Sequence, residues 1–176
     1  YETLKNAKRA KARAPVPLLW SRDISVASSV RLGKESATDG ESRFVDVGQK
    51  AHSSVVTSPS VVIQRVTSND QHRRLVAAAV STDIYATYGG FIGENHVVIV
   101  EQVTDRPALS PSKLAKLLST HVVDRYFRCI SGATNVSVFE LNQLALPNPR
   151  DLKEALSKGS SMEDAAAMSF GFLRGN

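Results

Sequence analysis

The stretch from Arg125 to Pro149 constrains the fold more than any other part of this chain. Its first residues end a predicted helix over Ser112 to Phe127, where apolar residues recur at helical spacing. A small polar loop around Gly132 comes next, and a second apolar segment ends at prolines. From the residues alone, this is either a helix, a turn and a short strand with two surface arginines, or a helix end that presents cations beside a loop of hydrogen-bond donors.

Short runs of β-branched residues before that stretch predict the strands of a sheet. Arg43 to Val47 alternates polar and apolar residues, and Val61 to Ile63 is typical of a buried strand. Phe91 to Val103 is predicted to be a further strand, and Val136 to Phe139 a short strand or turn. Ser68 to Val80 stays undecided between a strand and a helix, which its alanines favour. The pattern predicts an α+β fold with a twisted, mainly antiparallel sheet flanked by a few helices.

Charge and cysteine content restrict the function classes. The 176 residues carry a formal net charge of +5, and the isoelectric point near 9.5 favours a polyanionic partner such as nucleic acid. A single cysteine, Cys129, excludes an internal disulfide framework and a multi-cysteine zinc site, and it fits the reducing cytoplasm. No apolar run approaches the length of a membrane span, so we expect a cytoplasmic protein without a membrane partner.

The chain divides into three predicted regions. Residues 1–16 form a basic N-terminal arm or linker, residues 17–149 form the main domain, and residues 150–176 form a C-terminal helical tail. Because the chain opens on Tyr1 rather than Met, we expect it to be a fragment of a longer protein.

Several short motifs occur in a consistent order along the main domain. The later ones are Tyr126-Phe127-Arg128, Ser131-Gly132-Ala133-Thr134-Asn135-Val136 and Leu146-Pro147-Asn148-Pro149. The earlier ones are Val62-Ile63-Gln64-Arg65 with Gln71-His72-Arg73-Arg74-Leu75-Val76, and Glu94-Asn95-His96-Val97. From about Pro17 to Pro149, the chain resembles the C-terminal target-recognition domain of restriction-modification N6-adenine DNA methyltransferases, and similar domains in the specificity subunits of Type I systems.

The resemblance implies a function in double-stranded DNA recognition. Such a domain binds a short duplex sequence and places one adenine for methyl transfer from S-adenosylmethionine by an N-terminal methyltransferase module of the same parent chain. It also implies that the undecided segment is a strand. The parent protein would be an enzyme, whether it only modifies DNA or is fused to a nuclease.

Catalytic motifs are missing from the sequence itself. It has no Asn/Asp-Pro-Pro-aromatic loop to hold an extruded base, and no glycine-rich turn for a methyl donor. Asp151-Leu152-Lys153 has the last element of a nuclease motif without the preceding Pro-Asp pair, and the histidines are too scattered for a metal site. We therefore expect the fragment to be inactive alone, with no catalytic residue, no metal site and no cofactor of its own.

Side chains that suit DNA contacts are concentrated in the motifs. Arginine pairs with guanine, and asparagine or glutamine with adenine, whereas hydroxyl groups suit phosphates. Because adjacent residues of an extended segment point to opposite faces, we expect only one of Arg73 and Arg74 to face DNA. The candidate DNA-binding residues are Gln64, Arg65, Asn69, Gln71, Arg73, Arg74, Asn95, His96, Arg128, Ser131, Thr134 and Asn135.

Two other function classes remain open from the sequence. The first is a basic protein–protein interaction module that docks an acidic partner without base readout. The second is a small hydrolase with a Ser-His-Asp triad, although no nucleophile elbow is present. Salt-dependent duplex binding distinguishes DNA recognition from both.

Overall fold

A computed structural model describes residues 2–4, 15–25, 30, 32, 43–47, 54–67, 71–132 and 134–172. The strands are β1 (Glu2–Leu4), β2 (Pro15–Leu19), β3 (Phe44–Asp46), β4 (Ser60–Gln64), β5 (Ala77–Ala79), β6 (Ile92–Gly93) and β7 (Val97–Glu101). The helices are α1 (Thr82–Tyr88), α2 (Pro111–Leu118), α3 (His121–Ile130), α4 (Val138–Gln143), α5 (Pro149–Ser157) and α6 (Met162–Ser169). The predicted α+β class is confirmed.

The strands form two small sheets, where we expected one. The first has the order β1-β3-β2-β6 and the second the order β5-β4-β7, and all pairs are antiparallel except β2 with β6. The strand predicted over Phe91 to Val103 is interrupted, because Val97 N donates to Glu94 O at 2.9 Å and closes a turn. That turn carries the chain from β6 in the first sheet to β7 in the second.

Strand β4 lies at the centre of the second sheet and is buried on both faces. Val61 and Ile63 enter a core formed with the helices, whereas Val62 enters a second core with Leu19 and Phe91. Successive side chains of a strand point to opposite faces, so a strand between two cores needs an unbroken apolar run. The β-branched residues of β4 meet this requirement, which is why their pattern predicted the strand.

Pairing with β4 decides the segment that the sequence left open. Ala77, Ala78 and Ala79 form β5, opposite Ile63, Val62 and Val61. Helix propensity is a weak preference, and the hydrogen bonds and burial of a sheet edge override it here. Ser119 Oγ, at the end of α2, donates to Ala77 O at 3.2 Å and joins the helix to this strand.

Two local predictions between Ser112 and Phe139 are wrong. The helix expected over Ser112 to Phe127 is two helices, because Thr120 ends α2 and caps α3, accepting from Val123 N at 3.3 Å. The strand or turn expected over Val136 to Phe139 is instead the start of α4. Ser137 and Glu140 form a capping box there, a sequence signal for a helix.

The ends of the chain extend the main domain. Residues 1–16 were expected to form an arm or linker, but Glu2–Leu4 pairs with β3; residues 5–14 lie outside the description. In the expected helical tail, Leu152 of α5 and Ala165 and Ala166 of α6 belong to the same core as β4. Among the helices that the structure describes, none is long and apolar enough to span a bilayer.

A buried carboxylate joins α3 to the segment that enters β5. Asp124 is 3% exposed, and its Oδ1 accepts from Arg74 N at 2.6 Å and Leu75 N at 2.7 Å. Its Oδ2 accepts from Arg128 Nε at 2.8 Å. Arg128 Nη2 in turn donates to His72 O at 3.2 Å. Both carboxylate oxygens therefore help to hold the Gln71–Leu75 segment against α3.

Replacement of Asp124 tests how much its hydrogen bonds to Arg74, Leu75 and Arg128 stabilise the fold. Asp124→Ala is expected to lower the free energy of unfolding by about 3 kcal/mol, because two buried amides and a guanidinium lose their acceptor. Asp124→Asn keeps an oxygen for the amides, so its loss should be smaller. Urea unfolding of both variants measures the effect. Asp105→Ala, at an exposed loop position, is the control and should stay within about 0.5 kcal/mol of the unmodified protein. An equal, small loss in all three variants would contradict the assignment.

Candidate nucleic-acid interface

Three loops meet at the end of β4. Arg65 N donates to His96 O at 2.8 Å, which brings in the turn before β7. Val136 N donates to Arg65 O at 2.7 Å, which brings in the loop after α3. We define the loop cluster as the residues that these contacts assemble: Arg65, Thr67, Arg74, Asn95, His96, Thr134 and Asn135.

Arg65 is the exposed cation of the loop cluster. Its backbone is fixed on both sides, and among the described residues its side chain makes one hydrogen bond, from Nη1 to Asn95 O at 3.3 Å. Within the described ranges no carboxylate lies in ion-pair distance of its guanidinium. Most of its hydrogen-bond donors are therefore free to bind an anion or the edge of a base.

Arg74 approaches the loop cluster from the segment before β5. Its Nη1 donates to Thr67 Oγ1 at 3.0 Å, and Thr67 Oγ1 donates to Thr134 O at 2.8 Å. The Arg74 Nε is buried and has no hydrogen-bond partner in the part of the chain that the structure describes. No described carboxylate pairs with this arginine either. A half-buried guanidinium without a counter-charge is a position where a bound anion would be stabilised.

The amide and imidazole side chains of the loop cluster lie at the surface. Asn95 and Asn135 are exposed, and their backbones are held by Arg65 and by a bridge to Val66, respectively. His96 is also exposed, and its Nδ1 lies 2.8 Å from Glu94 Oε1. Glu94 is the one acidic side chain in this turn, and its carboxylate already accepts a hydrogen bond from the backbone N of His96.

Other predicted residues serve the protein interior. Gln64 Nε2 donates to Ser21 O and Ile24 O, both at 2.9 Å, so its amide hydrogens join the two sheets. Arg128 is bound to Asp124 and to the carbonyls of Gln71 and His72, and Ser131 is buried. Asn69 lies outside the described residues. These side chains were predicted from residue type, and residue type does not reveal whether a side chain points into the protein or into solvent.

Arg73 and Arg74 diverge, as expected for adjacent residues of an extended segment. Arg73 Nη1 donates to Ser119 O at the end of α2. Together with Gln71 and His72 it lines a groove of about 650 Å³ whose floor includes Val76. The basic segment therefore presents one arginine to the loop cluster and the other to this groove.

The loop cluster has the chemistry of a binding surface. It combines guanidinium groups that have no carboxylate partner among the described residues, exposed amides and a backbone held by hydrogen bonds, which suits recognition of phosphates and base edges. The described residues contain no group of three or more His, Cys, Asp or Glu side chains placed to hold a metal ion.

Sequence reasoning missed the residues that hold the loop cluster together. Thr67 is 4% exposed and connects Arg74 to the loop after α3, but a threonine in a polar segment gives no signal. Asp124 did give one, because it is an acid on the apolar side of α3, beside the buried Val123 and Phe127. A charge on a buried helix face predicts a specific partner.

Comparison of the chain with protein-family models, with curated proteins and with solved structures finds no match.

The pH dependence of stability tests how the loop after α3 is anchored. The hydrogen bond from Ser137 Oγ to Glu140 Oε2, at 2.7 Å, lowers the pKa of Glu140 from its ordinary value of 4.5. A lowered pKa in the folded state means that the ionised group stabilises the fold above pH 4.5 and that this contribution is lost as the pH falls through the folded pKa.

Glu140→Gln should therefore reduce the free energy of unfolding at pH 7 by about 1 kcal/mol, the usual size of a lost helix-capping interaction. The difference from the unmodified protein should shrink as the pH falls below 4.5. Urea unfolding at pH 7 and at pH 3.5 to 4.5 makes the measurement. Glu101→Gln, in β7 and outside any helix cap, is the control. A difference that is independent of pH would contradict the role of the ionised carboxylate.

Proposed function

We propose that this chain is a sequence-specific duplex DNA-binding domain that uses the loop cluster, and that it serves as the target-recognition domain of a site-specific adenine-N6 DNA methyltransferase. One observation carries the proposal: Arg65 and Arg74 lie in one hydrogen-bonded cluster, and neither is paired with a described carboxylate. A phosphate backbone is the polyanion that would pair with both guanidinium groups.

The amides of the loop cluster support base readout. Asn95 and Asn135 are exposed on either side of the Arg65 backbone. An asparagine amide pairs with the N6 and N7 edge of adenine, and an arginine with guanine, in the major groove. Thr134 and Arg74 suit phosphate contacts that set the register of the domain on the duplex.

The arrangement of the motifs supports the methyltransferase assignment. Arg65, Arg74, Asn95 with His96, and Thr134 with Asn135 come from the separate motifs that resemble target-recognition domains. These motifs are distant in sequence, yet hydrogen bonds bring them to the end of one strand. These residues do not pack together in the core, so a shared binding role would explain why their motifs occur together in one chain.

The catalytic step is assigned to a separate module of the same parent chain. The sequence lacks the loop that would hold an extruded adenine and the glycine-rich turn that would bind S-adenosylmethionine. In this proposal the domain supplies affinity, register and sequence choice, and the methyl donor binds elsewhere.

Selection from a pool of random-sequence duplexes tests base readout directly. The chain is incubated with the pool at rising salt, and the retained fraction is sequenced. We expect enrichment of one short motif that contains adenine, because the exposed amides of the loop cluster match its major-groove edge. Binding without an enriched motif would contradict base readout. The absence of binding at low salt would overturn the proposal in favour of a protein–protein interaction module.

Substitution of Arg65 tests the location of the DNA surface. Arg65→Ala should weaken duplex binding about tenfold and reduce the slope of log affinity against log salt by about 0.9 if it contacts one phosphate. Arg106→Ala is the matched control. Arg106 is an exposed arginine in the loop after Gln102, whose N donates to Pro59 O at the start of β4, the end opposite Arg65. Equal effects of both substitutions on anisotropy titrations would place the DNA elsewhere.

A further inference from the structure

Two adjacent apolar side chains are exposed on the first turn of α4. Phe139 is 74% exposed and Val138 is 59% exposed. The same short helix places Leu141 against the main core and is followed by the buried Leu144. The helix therefore has a side that packs and a side that leaves an aromatic ring in solvent. Single exposed apolar residues are ordinary, but one exposed aromatic ring with an adjacent exposed valine, beside the candidate surface, is a candidate ligand contact.

The exposed turn lies next to the loop cluster. Asn135 forms a bridge with Val66, and Val136 N donates to Arg65 O at 2.7 Å. Phe139 follows Val136 by three residues, so its Cα lies within about 11 Å of that contact even for a fully extended chain. The capping box of Ser137 and Glu140 fixes where the helix begins and hence where Phe139 is presented.

The surroundings of Phe139 select a nucleobase as its ligand. Arg65, whose backbone O accepts from Val136 N three residues before Phe139, has no carboxylate partner among the described residues. The other exposed residues of α4 are Asn142 and Gln143, whose amides suit base edges. An aromatic ring with exposed amides on the same helix is a combination that suits bases whose faces are uncovered. Two apolar side chains are also far too small an area for the core of a stable protein interface.

We propose that Phe139, supported by Val138, stacks on a base that has left the base stack of the DNA bound by the loop cluster. The proposal rests on the DNA-binding function proposed above and gives it a further part. Apolar side chains inserted at a base step partly unstack it, and the aromatic face recovers some of the stacking that is lost. Arg65 and Arg74 hold the backbone, and Phe139 favours DNA whose local pairing is already open.

Two duplexes test this division of roles. One is a fluorescein-labelled, fully paired duplex, and the other is the same duplex with a single unpaired adenine at its centre. The full chain should bind the second on the order of tenfold more tightly, since the unstacking is already done and one base–aromatic stack is gained. Phe139→Ala should abolish that preference, and Phe139→Trp should keep it.

Two further variants serve as matched controls. Phe172→Ala removes another exposed aromatic residue, one that lies with Val122 and Cys129 on a different face of α3 from Asp124, and should keep the preference. Arg65→Ala should weaken binding to both duplexes by the same factor, because phosphates are present in both. Thermal unfolding of Phe139→Ala should match that of the unmodified chain, because the ring is exposed.

The possible results separate the two proposals. If the unmodified chain binds both duplexes equally, or if Phe139→Ala keeps the preference for the unpaired adenine, the stacking role is overturned and DNA binding stands. If Phe139→Ala weakens binding to both duplexes by the same factor, Phe139 is a general contact and the stacking role is again overturned. If the unmodified chain binds neither duplex at low salt, both proposals are overturned.

Discussion

The buried carboxylate of Asp124 is the interaction on which the candidate surface depends. It accepts hydrogen bonds from two consecutive backbone amides, Arg74 and Leu75, and from the Arg128 side chain. Fixing those amides directs the Arg74 side chain to Thr67, and Thr67 in turn holds the carbonyl of Thr134. A charge that is almost fully buried is stable only when such bonds satisfy it. The same bonds therefore stabilise the fold and aim the arginine.

The two sheets place the functional loops at one end of β4. In an antiparallel pair the end of one strand lies beside the start of the next, so Arg65, which follows β4, meets the turn that precedes β7. The loop after α3 reaches the same end through Thr134, Asn135 and Val136. The residues of β4 are buried on both faces, and the chain becomes exposed at this end, where the strand stops. A rigid strand with adaptable loops at its tip is a common way to build a binding surface.

The polar residues near this surface divide by what they bind. Gln64 and Arg128 have long polar side chains that donate to backbone carbonyls or to Asp124, and these hydrogen bonds stabilise the fold. Arg65 and Asn95 are held through their backbones, and their side chains keep donors that no described residue occupies. Phe139 adds an aromatic ring at the edge of the same surface. The backbone atoms of these residues contribute to stability, and their side-chain donors would serve the proposed DNA binding. Because different atoms perform the two tasks, neither task weakens the other.

The sequence by itself determined the α+β class, the strand at Val61 to Ile63 and the helical character of Ser112 to Leu118, because β-branched runs and apolar residues at helical spacing act locally. It also predicted which segments carry side chains of the types that suit base edges. Only the tertiary structure decided that Ala77–Ala79 is a strand, since its hydrogen-bond partner Val61–Ile63 is distant in sequence. It likewise decided that Gln64 points inward and Arg65 outward. Those outcomes depend on contacts between distant segments, which no local pattern of residue types encodes.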